Sequence, residues 1–192
     1  ESKSFELFFV KKETDMVRST DVTEYSVTVY RDFSFNNTEM RGHATALLFP
    51  DMTDEEIAKA LNNAYYAASF VKNKYYDIPK PCEAKSVERI DYNIKEEAFK
   101  LAEALFSADG EAGKSFINSA EIFAKKRISR VVNSNGVDAE FVKYNFNGEF
   151  VTQAIANGQD VEIHTEFSYN APEYMQLKAK VEEALKTVYD RA

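Results

Sequence analysis

Asn157-Gly158-Gln159-Asp160-Val161-Glu162-Ile163-His164-Thr165-Glu166-Phe167-Ser168-Tyr169-Asn170 is the stretch that decides the fold. Its first two residues tolerate the positive φ angles of a type I′ turn, whose twist matches that of flanking antiparallel strands. From Val161 onward the alternation is sharp. Val161, Ile163, Thr165, Phe167 and Tyr169 fall on one side, and Glu162, His164, Glu166 and Ser168 on the other. A period of two residues predicts a strand with one face in the core and the other wet.

The same turn chemistry recurs upstream at Asn135-Gly136 and Asn147-Gly148, each between β-branched and aromatic residues. Read as hairpin tips, the three pairs predict a meander of about five strands, with Ile117 to Lys126 and Ile128 to Asn133 leading it. A helix follows. Asn170 is the predicted N-cap with Glu173 three residues on, and Tyr174, Leu177, Val181, Ala184, Leu185 and Val188 recur at helical spacing.

The first half repeats the plan. Strands are predicted from Phe5 to Lys12, Thr23 to Phe33 and Glu39 to Phe49, and then a helix capped by Thr53 with Glu56 in a capping box. Its apolar stripe is Ile57, Leu61, Ala64, Ala68 and Val71. Glu6-Leu7-Phe8 and Lys11-Lys12 also align at one offset with Glu121-Ile122-Phe123 and Lys126-Arg127. These matches predict an internal duplication of a strands-then-helix unit, with halves at about 1–77 and 117–192 within one domain spanning 1–192. Between the halves lie the connector Asp77-Ile78-Pro79-Lys80-Pro81-Cys82 and a third helix, capped by Asn93, carrying Ile94, Ala98, Leu101, Ala102 and Leu105, and closed by Gly110. The fold class is α+β: antiparallel meanders with helices packed on one face. Two small sheets could stack, or the repeats could pair into one sheet.

Composition narrows the function. The 192 residues carry 24 Lys+Arg against 32 Asp+Glu, a net charge of −8, which disfavours a nucleic-acid backbone. The basic runs Lys11-Lys12 and Lys125-Lys126-Arg127 read as solvated strand ends. Cys82 is the single cysteine, no stretch of about 18 apolar residues exists, and the opening Glu1-Ser2-Lys3-Ser4 has no signal-peptide core. A reducing cytoplasmic setting with no membrane contact is the expectation.

Catalytic patterns are sparse. A zinc peptidase helix needs two histidines one turn apart, and this chain holds only His43 and His164 on separate segments. His164 between Glu162 and Glu166 is the weak metal candidate, since strand residues two apart can converge on one ion. A solvated titratable face is the plainer account. His43 reads as a satisfied sheet histidine, and Cys82 as a plain thiol. Gly110 to Ser115 ends like a phosphate-binding loop but lacks its spacing. No catalytic or cofactor-binding residue is assigned. The dyads Tyr65-Tyr66 and Tyr75-Tyr76 either pack or line a shallow groove for an extended peptide.

Glu6-Leu7-Phe8-Phe9-Val10-Lys11-Lys12, Tyr25-Ser26-Val27-Thr28-Val29-Tyr30, Arg41-Gly42 with the helix from Thr53, and Val132-Asn133-Ser134-Asn135-Gly136 together carry a resemblance. In these segments and in the order of its elements the chain resembles the N-terminal domain of the TldD/PmbA family, a group labelled both as zinc-dependent proteases and as modulators of DNA gyrase. The resemblance implies that zinc and its HExxxH motif lie in a following C-terminal domain, with none in this chain. It implies a noncatalytic role in shaping a substrate chamber or dimer contact, with extended peptide or unfolded protein as substrate and a homo- or heterodimer as the assembly. Two other readings stand beside it: a self-sufficient interaction domain using strand addition, and a small enzyme built around His164.

Overall fold

The computed structural model describes residues 1–83, 90–109 and 115–192. In chain order the elements are β1 (Ser2–Val10), β2 (Glu13–Val22), β3 (Tyr25–Phe35), β4 (Thr38–Leu48), α1 (Asp54–Ala68), β5 (Asn73–Lys74), α2 (Ile94–Ser107), β6 (Ser115–Val132), β7 (Asp138–Ala156), β8 (Gln159–Tyr169) and α3 (Tyr174–Arg191). The α+β class holds. The strands form two antiparallel sheets, one ordered β2-β1-β6-β7-β8 and one ordered β3-β4-β5. They belong to two compact units: Glu1–Val22, Lys85–Arg130 and Glu140–Ala192 supply the first, Thr23–Ala84 and Val131–Ala139 the second.

In the first unit, β1 and β6, whose sequences match at a constant offset, are direct neighbours. Leu7 stands opposite Ile122 and Phe9 opposite Ala120. These side chains join Phe146, Phe150 and Phe167 on one face of the sheet, where α2 brings Ala98, Leu101 and Leu105 and α3 brings Leu177, Val181 and Leu185. Burying this face takes the named side chains of both helices out of water, at about 1.5–3 kcal/mol per large side chain. Asn93 caps α2 as expected, its side-chain oxygen accepting from the Lys95 and Glu96 amides.

The meander differs from the expectation in three ways. The two segments expected from Ile117 to Lys126 and from Ile128 to Asn133 merge into one strand, β6, which ends at Val132, so Lys125-Lys126-Arg127 lies within a strand rather than at its end. Asn147-Gly148 is no turn but the middle of the 19-residue β7. Gly148 is required there by close approach: a Cβ would lie 2.1 Å from the Glu121 carbonyl oxygen and 2.8 Å from the Phe167 ring. Three long strands therefore replace five short ones. The third difference is the start of α3, whose N-cap is Glu173 with no side-chain capping bond, not Asn170.

Strand β2 was not foreseen. All ten of its residues are exposed, so no apolar alternation marks it, and it is held by pairing with β1 across the Lys11-Lys12 turn. Asn36-Asn37 was also missed as a turn. Both residues have positive φ, 50° and 58°, and join β3 to β4 as a two-residue hairpin.

In the second unit α1 packs on β3 and β4. Its predicted capping box is present: Glu56 Oε2 accepts from the Thr53 amide at 2.8 Å, and Thr53 Oγ1 accepts from the Glu56 amide at 3.3 Å. The bond from the Thr53 amide, and after it one of 2.9 Å donated by the Thr53 hydroxyl to the same Oε2, hold the Glu56 carboxyl below its ordinary value. Ala64 and Ala68 are buried, and Gly42 lets the helix end approach, since a Cβ there would lie 1.7 Å from the Ala68 carbonyl oxygen. The segment 110–114, which holds the predicted helix-closing Gly110 and most of the loop resembling a phosphate-binding one, lies outside the described residues.

Candidate functional site

The face of the small sheet away from α1 brings polar and aromatic groups together. Pairing of β3 with β4 sets Tyr30 opposite His43 and Asp32 opposite Arg41, and the two-residue β5 then lays Asn73 beside Arg41. Arg41 is only 8% exposed, so its charge must be answered locally. Its Nε and Nη2 donate to the two oxygens of Asp32 at 2.6 and 2.7 Å, and its Nη1 donates to the Tyr76 carbonyl at 2.7 Å. Tyr75 covers it, with the guanidinium carbon 4.3 Å from the ring centroid.

The electrostatics follow from this geometry. Hydrogen bonding to Asp32 raises the Arg41 guanidinium above its ordinary value against the opposing effect of burial. The same bond lowers the Asp32 carboxyl. Arg41 is thus a fixed, compensated cation that pins Tyr75 and Tyr76 onto the sheet rather than a free anion-binding group. His43 sits beside it: Asn73 Nδ2 donates to its Nδ1 at 3.4 Å, and the Tyr76 hydroxyl lies 3.3 Å from the same nitrogen. The Tyr30 and Tyr76 rings meet edge to face, and Tyr30 lies 6.2 Å from the imidazole centroid. Both tyrosines of the 75–76 dyad stay well exposed. This arrangement offers flat aromatic contact with a few fixed polar groups, which suits binding of an extended chain.

The four tyrosines named from the sequence do not share a surface. Tyr75 and Tyr76 lie on the face with Arg41, whereas Tyr65 lies under Arg31, which belongs to the face toward α1, with the guanidinium 4.9 Å from its ring. Tyr66 packs against Phe70 instead, and both rings are largely exposed. Residues missed by sequence reading, Arg41, Asp32, Tyr30 and Asn73, come together through register. The equal spacing of Asp32 and Arg41 about the Asn36-Asn37 turn could have pointed to that pair.

The other sequence candidate lies on β8 in the first unit. Glu162, His164 and Glu166 do share one wet face. Glu162, however, accepts from Asn118 Nδ2 at 2.8 Å, while His164 Nε2 lies 3.3 Å from Glu149 Oε2 on β7. Glu149, the residue after the misread Asn147-Gly148 turn, takes the place of Glu162 beside the imidazole. The peptidase motif finds no fit: both histidines are on strands, His43 on β4 and His164 on β8, so no helix here presents a two-histidine ligand pair. Cys82 is exposed. No helix among the described residues is long and apolar enough to cross a membrane.

No protein-family model and no curated protein sequence matches this chain. Solved structures do. TldE from Thermococcus kodakarensis is 14% identical, with a TM-score of 0.65 over 97% of this chain and 42% of that one. A Thermotoga maritima protein labelled as a modulator of a DNA gyrase gives 14% identity and a TM-score of 0.63 over the same shares, 97% and 42%. A similarly labelled protein from Bacteroides thetaiotaomicron gives 9% and 0.51, over 94% of this chain and 43% of that one. The chain spans about two fifths of the length of the structures it matches. At these identities the likeness is one of fold, and the names on that fold, TldE and modulators of DNA gyrase, are those to which the TldD/PmbA resemblance pointed.

Proposed function

We propose that this chain works as a noncatalytic domain of a larger TldD/PmbA-like protein, shaping a substrate chamber or a dimer interface. The observation that supports it is the fold likeness to TldE over 97% of the chain. On this reading the ligand is an extended peptide or an unfolded protein, met in part by the Tyr75–Tyr76 face. A net charge of −8 argues for peptide over nucleic acid. Zinc and HExxxH belong to a following domain, the parent protein assembles as a homo- or heterodimer, and its compartment is the cytoplasm.

The test is a digest of casein by the purified chain, with and without a chelator. No cleavage is expected. Cleavage that the chelator abolishes would overturn the proposal.

A second reading, an interaction domain that adds a partner strand to its sheet, draws support from β2. This edge strand has ten exposed residues and no proline, so its outer backbone donors and acceptors are open to a partner strand, with Glu13, Asp15, Arg18 and Asp21 as the charges such a partner must match. Slower amide exchange along β2 on adding unfolded casein is the expected sign, and unchanged exchange would dismiss it.

A further inference from the structure

We propose that Glu149, His164 and Glu166 form a surface site for a divalent transition metal, of which Zn2+ is the test case, stapling the edge strand β8 to β7. Glu149 and Glu166 stand directly opposite one another across the two strands, and His164 is diagonal to Glu149 on the same face. One ligand atom from each of the three lies within 4.8 Å of the others.

The spacing suits a tetrahedral ion. With metal–ligand distances of about 2.0–2.1 Å, neighbouring ligand atoms sit roughly 3.3 Å apart. His164 Nε2 and Glu149 Oε2 are at 3.3 Å already. Closing the set requires a shift of about 1.5 Å at most, within the rotamer freedom of half-exposed side chains on a strand face. The donors, one imidazole nitrogen and two carboxylate oxygens, favour zinc-like ions over calcium, which takes six to eight oxygens.

Electrostatics gives an independent reason. Like charges directly opposite in a sheet repel. Among the described residues neither Glu149 nor Glu166 is seen in an ion pair with Lys or Arg, and the near contact of Glu149 is the His164 imidazole. Next along the same face of β7, Asn147 keeps a buried side-chain oxygen with no hydrogen-bond partner. Two facing carboxylates without a Lys or Arg partner concentrate negative charge here, and a dication answers it. The open coordination positions go to water. The role is a cross-strand clamp and is separate from the zinc that the proposed function places in a following domain.

The test is calorimetric titration of ZnCl2 into the chain in a Cys82→Ser background, which removes the one thiol, combined with NMR of the two imidazoles. One equivalent is expected to bind, shifting the His164 ring signals and leaving those of His43. His164→Ala and Glu166→Gln should each weaken binding by about tenfold or more. Glu162→Gln, whose side chain is engaged by Asn118, should leave it unchanged. No binding at millimolar ZnCl2, or equal binding by His164→Ala, would overturn the site. That result leaves the noncatalytic reading standing, whereas casein cleavage by the zinc-loaded chain would overturn that reading and keep the site.

Discussion

Arg41 and Asp32 face each other across β3 and β4 through two parallel hydrogen bonds of 2.6 and 2.7 Å, with Tyr75 over the guanidinium. Asp32 has a lowered carboxyl pKa in the fold, so its contribution to stability is complete above the unfolded value of about 3.9 and is lost as pH falls through the folded value. Thermal unfolding followed from pH 5 downward should show a loss of stability below about pH 4 that Asp32→Asn diminishes. An identical acid profile in the variant would refute this linkage.

Gly148→Ala tests the close packing at this position. In β7 the added methyl meets the Glu121 carbonyl oxygen and the Phe167 ring. Destabilisation of about 1–3 kcal/mol is expected from overpacking, read as a lowered urea midpoint. A midpoint equal to that of the parent chain would contradict the close approach.

Thr53→Ala removes the acceptor for the Glu56 amide and one of the donors to its carboxylate. Loss of an N-cap of this kind costs about 1 kcal/mol. The Glu56 carboxyl should rise toward its ordinary value at the same time, measurable by NMR titration, because the Thr53 hydroxyl is one of the groups that lower it.

Ile122→Ala, at a fully buried position between β1 and the helices, should cost about 2–5 kcal/mol through the cavity it leaves. Tyr66→Ser, on an exposed ring of α1, should change stability by about 0.5 kcal/mol or less. Comparable losses from both would mean that the core is misplaced.

Much of the local chemistry was legible where the cause of a structure lies within a few residues, the Asn36-Asn37 turn and the start of α3 being exceptions. The capping box of Thr53 and Glu56, the Asn93 cap, the Asn157-Gly158 hairpin and the two-sided pattern from Val161 to Tyr169 all appear as read. Their physical reasons are hydrogen bonds and dihedral preferences of neighbouring residues, which no distant contact needs to supply. What only the tertiary structure decided is pairing between distant segments. It set β1 beside β6, made Asn147-Gly148 a point of close packing instead of a turn, and held the featureless β2 in the sheet. It also brought Arg41 to Asp32 and Tyr75, and Glu149 to His164, because strand register places a side chain opposite partners that sequence distance conceals.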